Sequence, residues 1–126
     1  MNVVDSSGWM EFFADGPNAD AFAEPLADPL TLVVPVITVY EVFMQVLLQR
    51  DETAALEAVA LMQQGEIVDL ETPTALAAAK LSVDERLPMA DALILATARR
   101  YGATLWTQDS DFEGLEDVRY VGSRAP

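Results

Sequence analysis

The carboxylates Asp5, Glu41, Asp91, Asp109 and Asp111 stand in or beside otherwise apolar segments, NVVD, VITVYEVFMQVLL, PMADALILATA and WTQDSDFEGL. The chain contains neither histidine nor cysteine. Imidazole bases, thiolate nucleophiles, disulfides and the usual zinc ligands are thereby excluded. Acid–base or metal chemistry must be carried by carboxylates, whose oxygens suit hard cations such as Mg²⁺ or Mn²⁺. An acidic cluster holding such a cation can activate a water and stabilise the oxygens of a phosphodiester under in-line attack. Metal-dependent phosphodiester hydrolysis is the chemistry these residue types suggest.

Each acid also has a purely structural reading. Asp5 follows an apolar run and precedes a helix, where it can cap backbone N–H groups, although Ser6 and Ser7 can do the same. Glu41 has apolar neighbours on nearly every side and no base within a helical turn; it either lies on a narrow solvent stripe with Gln45 or needs a partner inside the protein. Asp91 sits one turn into a helix, where the dipole favours an acid. Its neighbours Ala90, Ala92, Leu93, Ile94 and Leu95 nevertheless leave it no polar face. Asp109 and Asp111 flank Ser110, and one of the two acids can cap the following turn while the other faces a site.

The elements that must position these acids alternate between strand and helix. NVVD, LTLVV, EIVDL, ATLWTQ and DVRYVG read as strands. SSGWMEFFAD, a short helix in GPNADAFAEPLADP, VITVYEVFMQVLLQR, ETAALEAVALMQQ, TPTALAAAKLSVDER and PMADALILATARRYG read as helices, with Pro35 expected in the first helical turn of the third. Such alternation implies a mainly parallel sheet covered on both faces. Ligands of open α/β sheets bind beyond the carboxyl ends of the strands, where Asp5 and the TQDSD segment fall.

At 126 residues, with 52% hydrophobic composition, the chain is expected to form a single domain over 1–126 with a full core. No apolar run approaches the ~20 residues of a membrane span. The first base is Arg50, so a signal peptide is not expected and a cytoplasmic location is. Net charge is −14, and residues 1–49 hold seven acids and no base. That imbalance disfavours long-range attraction to nucleic acid and favours a basic protein partner. A phosphotransfer receiver would need a lysine after its last strand, whereas Lys80 lies within a helix; an aspartyl phosphatase would carry a second Asp where Ser7 stands. There is no glycine-rich phosphate loop.

Taken together, VVDSSGW, TVYEV and LPMADALILATARRYGATLWTQDSDFEGL resemble the PIN-domain family, and specifically its VapC toxins of bacterial toxin–antitoxin pairs. The resemblance spans nearly the whole chain. It implies a three-layer α/β/α domain with a mainly parallel five-stranded sheet. The implied activity is an Mg²⁺- or Mn²⁺-dependent endoribonuclease silenced by a VapB-type antitoxin, as a homodimer or a hetero-oligomer with that antitoxin. Asp5, Glu41, Asp91 and Asp109 match the family's acidic positions, with Asp5 and Asp91 as direct metal ligands. Glu41 and Asp109 would complete the pocket and hold or orient water. Ser6, Thr107 and Ser110 match hydroxyl positions lining such sites, Asp111 adds a supporting acid, and Ser7 is left to cap the helix. An acidic chain with one lysine is an unusual match for RNA, and no substrate-guiding residue is identified. An acidic PIN-like module that engages a basic protein and has little nuclease activity is the competing reading.

Overall fold

The computed structural model describes residues 1–122. Strand β1 (Asn2–Val4) leads into helix α1 (Ser6–Phe13), followed by α2 (Ala19–Leu26), β2 (Val33–Pro35), α3 (Val36–Gln49), α4 (Glu52–Met62) and β3 (Glu66–Val68). Helices α5 (Thr72–Glu85) and α6 (Met89–Arg100), β4 (Thr104–Thr107), a 3₁₀ turn (Ser110–Phe112) and β5 (Val118–Tyr120) complete the order.

All strand pairs are parallel, in the orders β1-β4-β5 and β2-β3, and a bridge between Asn2 and Leu32 joins the two groups. The resulting order β3-β2-β1-β4-β5 is the five-stranded parallel sheet the resemblance implies. Its direction of progression reverses beside β1, between β2 and β4. A crevice opens at such a reversal because the connections on either side leave in opposite directions.

Alternation along the strands builds two cores. Val3, Val33 and Leu105 turn to one face, where Ala92, Ile94, Leu95, Ala96 and Ala98 of α6 and Ala78 of α5 cover them. Val4, Val34 and Trp106 turn to the other, against Trp9, Phe22, Val42, Val46, Ala55 and Met62 of α1 to α4. The sheet is thus the middle of three layers, and no helix among the described residues is long and apolar enough to cross a membrane.

Two local expectations are corrected. Pro35 ends β2 and stands at the N-cap of α3 rather than in its first turn; its fixed φ of −62° suits both the strand end and the helix entry. Helix α3 is also less enclosed than its composition implies. Val36, Tyr40, Met44, Leu47 and Leu48 are exposed, while Thr38, Val42 and Val46 form the buried stripe, so apolar content overstated burial on this helix.

Gly8 seats α1 on the sheet. A Cβ there would lie 2.7 Å from Val4 Cγ1 and from Phe22 Cδ1 and Cε1, inside contact distance of fully packed side chains. Gly8→Ala is therefore expected to lower unfolding free energy by ~1–3 kcal/mol in urea titration, despite the better helix propensity of alanine. An unchanged or higher urea midpoint would show that α1 is free to shift outward.

Candidate active site

Register brings the acids together. Val4 pairs with Trp106, and the Asp5 N–H donates to the Trp106 carbonyl at 2.9 Å, so Asp5 at the end of β1 lies beside Thr107 at the end of β4. Asp109 follows two residues later and caps the 3₁₀ turn, its Oδ1 accepting from the Asp111 N–H at 2.9 Å. Asp91 enters from the first turn of α6 and Glu41 from α3. Of the two acids around Ser110, Asp109 caps the turn, and both belong to the cluster.

One carboxylate oxygen from each of Asp91, Asp109 and Asp111 lies within 4.8 Å of the other two. Asp5 and Glu41 are close enough for their charges to act on Asp91. Of the Asp5 and Asp91 pair that the resemblance implies as metal ligands, Asp91 belongs to this group of three, which also takes in Asp109 and Asp111, and Asp5 acts on Asp91 from outside it.

Burial and mutual repulsion push these groups towards their protonated forms. Asp91 is raised to about 7, first by burial and then by the charges of Asp5, Asp109, Asp111 and Glu41. Asp5 is 2% exposed, and burial raises it despite hydrogen bonds from Ser7, Thr107 and the Ser6 backbone. Burial also raises Glu41, partly offset by the Ser6 hydroxyl and reinforced by the charge of Asp5. Among the described residues no base pairs with the cluster: the ion pairs there are Lys80–Asp84, Arg99–Asp117 and Arg100–Glu71, all elsewhere. Arg99 and Arg100 sit in the last turn of α6, where the helix dipole favours them.

The hydroxyls divide differently from the sequence reading. Helix α1 begins at Ser6, which places Asp5, not Ser6 or Ser7, at the cap position, and the Asp5 side chain makes no cap hydrogen bond. Ser7 Oγ donates instead to Asp5 Oδ2 at 2.8 Å, and Thr107 Oγ1 donates to the same oxygen at 2.9 Å. Ser6 acts on Glu41. Ser110 is exposed on the 3₁₀ turn, and its carbonyl accepts from Glu113. Ser7 is thus the residue whose site contact sequence reasoning missed. Its position two residues after Asp5, the place an aspartyl phosphatase would fill with a second acid, was the available signal.

The donor set fits a divalent cation. Asp5 Oδ1 and Glu41 Oε1 are buried with no hydrogen-bond partner among the described residues, and a buried carboxylate oxygen left unsatisfied is costly. Hard oxygen ligands and an excess of negative charge, with no ion pair to an ammonium or guanidinium group among the described residues, suit Mg²⁺ or Mn²⁺.

A family model described as "PIN domain" matches residues 3–118. Sequence comparison with curated proteins returns no match. Among solved structures, the fold is similar to a toxin–antitoxin complex from Klebsiella pneumoniae, with TM-score 0.79, 24% identity and coverage of 94% of this chain and 96% of that one. VapC20 of Mycobacterium tuberculosis, described as a sarcin–ricin loop cleaving toxin, matches with TM-score 0.76, 20% identity and coverage of 99% and 100%. FitAcB from Neisseria gonorrhoeae matches with TM-score 0.75, 21% identity and 97% coverage of both chains. At these identities the likeness is one of fold.

Proposed function

We propose, since this chain belongs to the PIN domain family, that it is a VapC-type toxin: a metal-dependent endoribonuclease of a type II toxin–antitoxin pair, inhibited by a cognate VapB-type antitoxin. The observation that carries this reading is the convergence of Asp5, Glu41, Asp91, Asp109 and Asp111 at the sheet's switch point, none of them ion-paired to a base among the described residues. Structural neighbours described as a toxin–antitoxin complex and a sarcin–ricin loop cleaving toxin support it. On this reading the toxin acts in the cytoplasm, on RNA.

Asp91, Asp109 and Asp111 would hold Mg²⁺ or Mn²⁺ together with Asp5. When bound, such a cation neutralises charge on a phosphodiester and lowers the pKa of water at the site. The chain's own groups do the rest. Asp109 and Asp111 are fixed in one rigid turn by the Asp109 cap, so their carboxylates approach as a unit. Glu41 Oε1, buried and without a hydrogen-bond partner among the described residues, would orient the attacking water and take its proton. Arg86, exposed just ahead of α6, has no carboxylate partner among the described residues and is available for a phosphate.

Incubating total cellular RNA with the purified protein, in Mn²⁺ or in EDTA, and mapping the cut ends tests the reading. Discrete cuts confined to the Mn²⁺ arm are expected. The net charge of −14 favours a second reading, an acidic module whose main role is to engage a basic protein. Absence of cuts in both arms, with no heat of Mn²⁺ binding by calorimetry, would favour that module over the nuclease.

A further inference from the structure

The two oxygens of Asp5 are treated unequally. Oδ2 accepts from both Ser7 Oγ at 2.8 Å and Thr107 Oγ1 at 2.9 Å, whereas Oδ1 is buried without a partner. The direction of those hydroxyls is set from behind. The Gln108 N–H donates to Ser7 Oγ at 3.3 Å and the Asp109 N–H donates to Thr107 Oγ1 at 3.0 Å. A hydroxyl that accepts a backbone N–H still has its single proton to give, and the nearest acceptor for each is Asp5 Oδ2, at 2.8 and 2.9 Å against 3.3 Å for the other hydroxyl. Ser7 and Thr107 lie 3.3 Å apart, so the two chains of hydrogen bonds run side by side from consecutive backbone amides to one carboxylate oxygen.

We propose that Ser7 and Thr107 form a positioning pair that ties Oδ2 of Asp5 to the β4 exit and reserves Oδ1 as a single-oxygen ligand for a divalent cation. The pair also ties the Gln108 backbone to α1 and the Asp109 backbone to the end of β4, holding the segment that carries Asp109 and Asp111 relative to Asp5. With Oδ2 engaged twice, chelation through both oxygens would require both hydroxyl bonds to break. Hydrogen bonds of this kind orient a ligating carboxylate without touching the ion. The inference rests on the metal-binding reading above.

The test uses Mn²⁺ titration calorimetry on wild type, Ser7→Ala, Thr107→Val and Thr107→Ser, with infrared difference spectra recorded on Mn²⁺ addition. The Asp5 bands are identified by their loss in Asp5→Asn. Wild type is expected to show the wide separation of antisymmetric and symmetric stretches that marks ligation through one oxygen. Ser7→Ala and Thr107→Val are expected to bind Mn²⁺ ~10- to 100-fold more weakly and to narrow that separation. Thr107→Ser keeps the hydroxyl and is expected to restore both properties. A merely structural role would lower stability and leave the band separation unchanged. Should Thr107→Val fail to fold, Ser7→Ala, on a half-buried helical position, carries the test. Wild-type affinity and spectra in Ser7→Ala overturn the proposal while leaving the metal reading intact. A wild type that binds no Mn²⁺ removes both.

Discussion

Asp91→Ala is expected to cut RNA ~10³-fold more slowly than wild type in Mn²⁺ while keeping its fold. Asp91 is the one acid in both groupings of the site: its carboxylate lies within 4.8 Å of those of Asp109 and Asp111, and it feels the charges of Asp5 and Glu41. Removing it takes an oxygen ligand from the centre of the cluster. The fold should survive because Asp91 makes no hydrogen bond or ion pair on which the core depends, while Ala92, Ile94 and Leu95 keep α6 packed against the sheet. Asp91→Asn keeps the volume and loses the charge, so it should be nearly as slow. Initial rates on a mapped RNA substrate, with circular dichroism as the folding control, decide the matter. A variant cutting at the wild-type rate would reject the assigned site.

Asp91→Asn is also expected to stabilise the metal-free protein at pH 8. The folded-state value of about 7 stands above the unfolded value of 3.8, so the folded chain holds this proton more tightly. The stability it contributes is fully present below pH ~4 and is lost as pH rises through ~7. Above that, the ionised carboxylate opposes folding. Burial of Asp5 and Glu41 acts with the same sign. Because Asp91 is only half buried and water screens its charge, ~1–2 kcal/mol is the gain expected from neutralising it, or roughly 4–8 °C in Tm. Thermal melts in EDTA at pH 5 and pH 8 should show the two proteins alike at pH 5 and Asp91→Asn ahead at pH 8. Added Mn²⁺ should reverse the order at pH 8, since a cation that binds the folded state stabilises the wild type. Equal melting temperatures at pH 8 in EDTA would mean that the cluster is not under electrostatic strain. Such strain in the absence of a ligand is the ordinary cost of a site built to bind one.

Most strands and helices were legible because apolar alternation and helical spacing are local patterns. Asp5, Asp91 and Asp109 were legible as site candidates for a related reason: an acid at a strand exit or within an aliphatic helix contradicts its surroundings. Local patterns failed where a neighbour from elsewhere decided the outcome. Pro35 was assigned to a helix although β2 claims it by pairing with Val68 of β3. The run VITVYEVFMQVLL suggested a largely enclosed helix, yet α3 has a core on one side only. Ser7 reads locally as a cap, whereas its hydroxyl is directed to Asp5 because Thr107, 100 residues away, and the Gln108 N–H fold in beside it.

The donor inventory is set by composition: with no His or Cys, acid–base or metal chemistry here falls to carboxylates, and strand–helix alternation implies a mainly parallel sheet. Tertiary structure decided the strand order β3-β2-β1-β4-β5 and the register of Val4 against Trp106. Those two facts set Asp5 beside Thr107, gather Asp91, Asp109 and Asp111, and determine that one oxygen of Asp5 is tied while the other is left open. The reason is physical: periodicity fixes which face of an element is apolar, but which strands pair, and in which register, depends on contacts between residues distant along the chain.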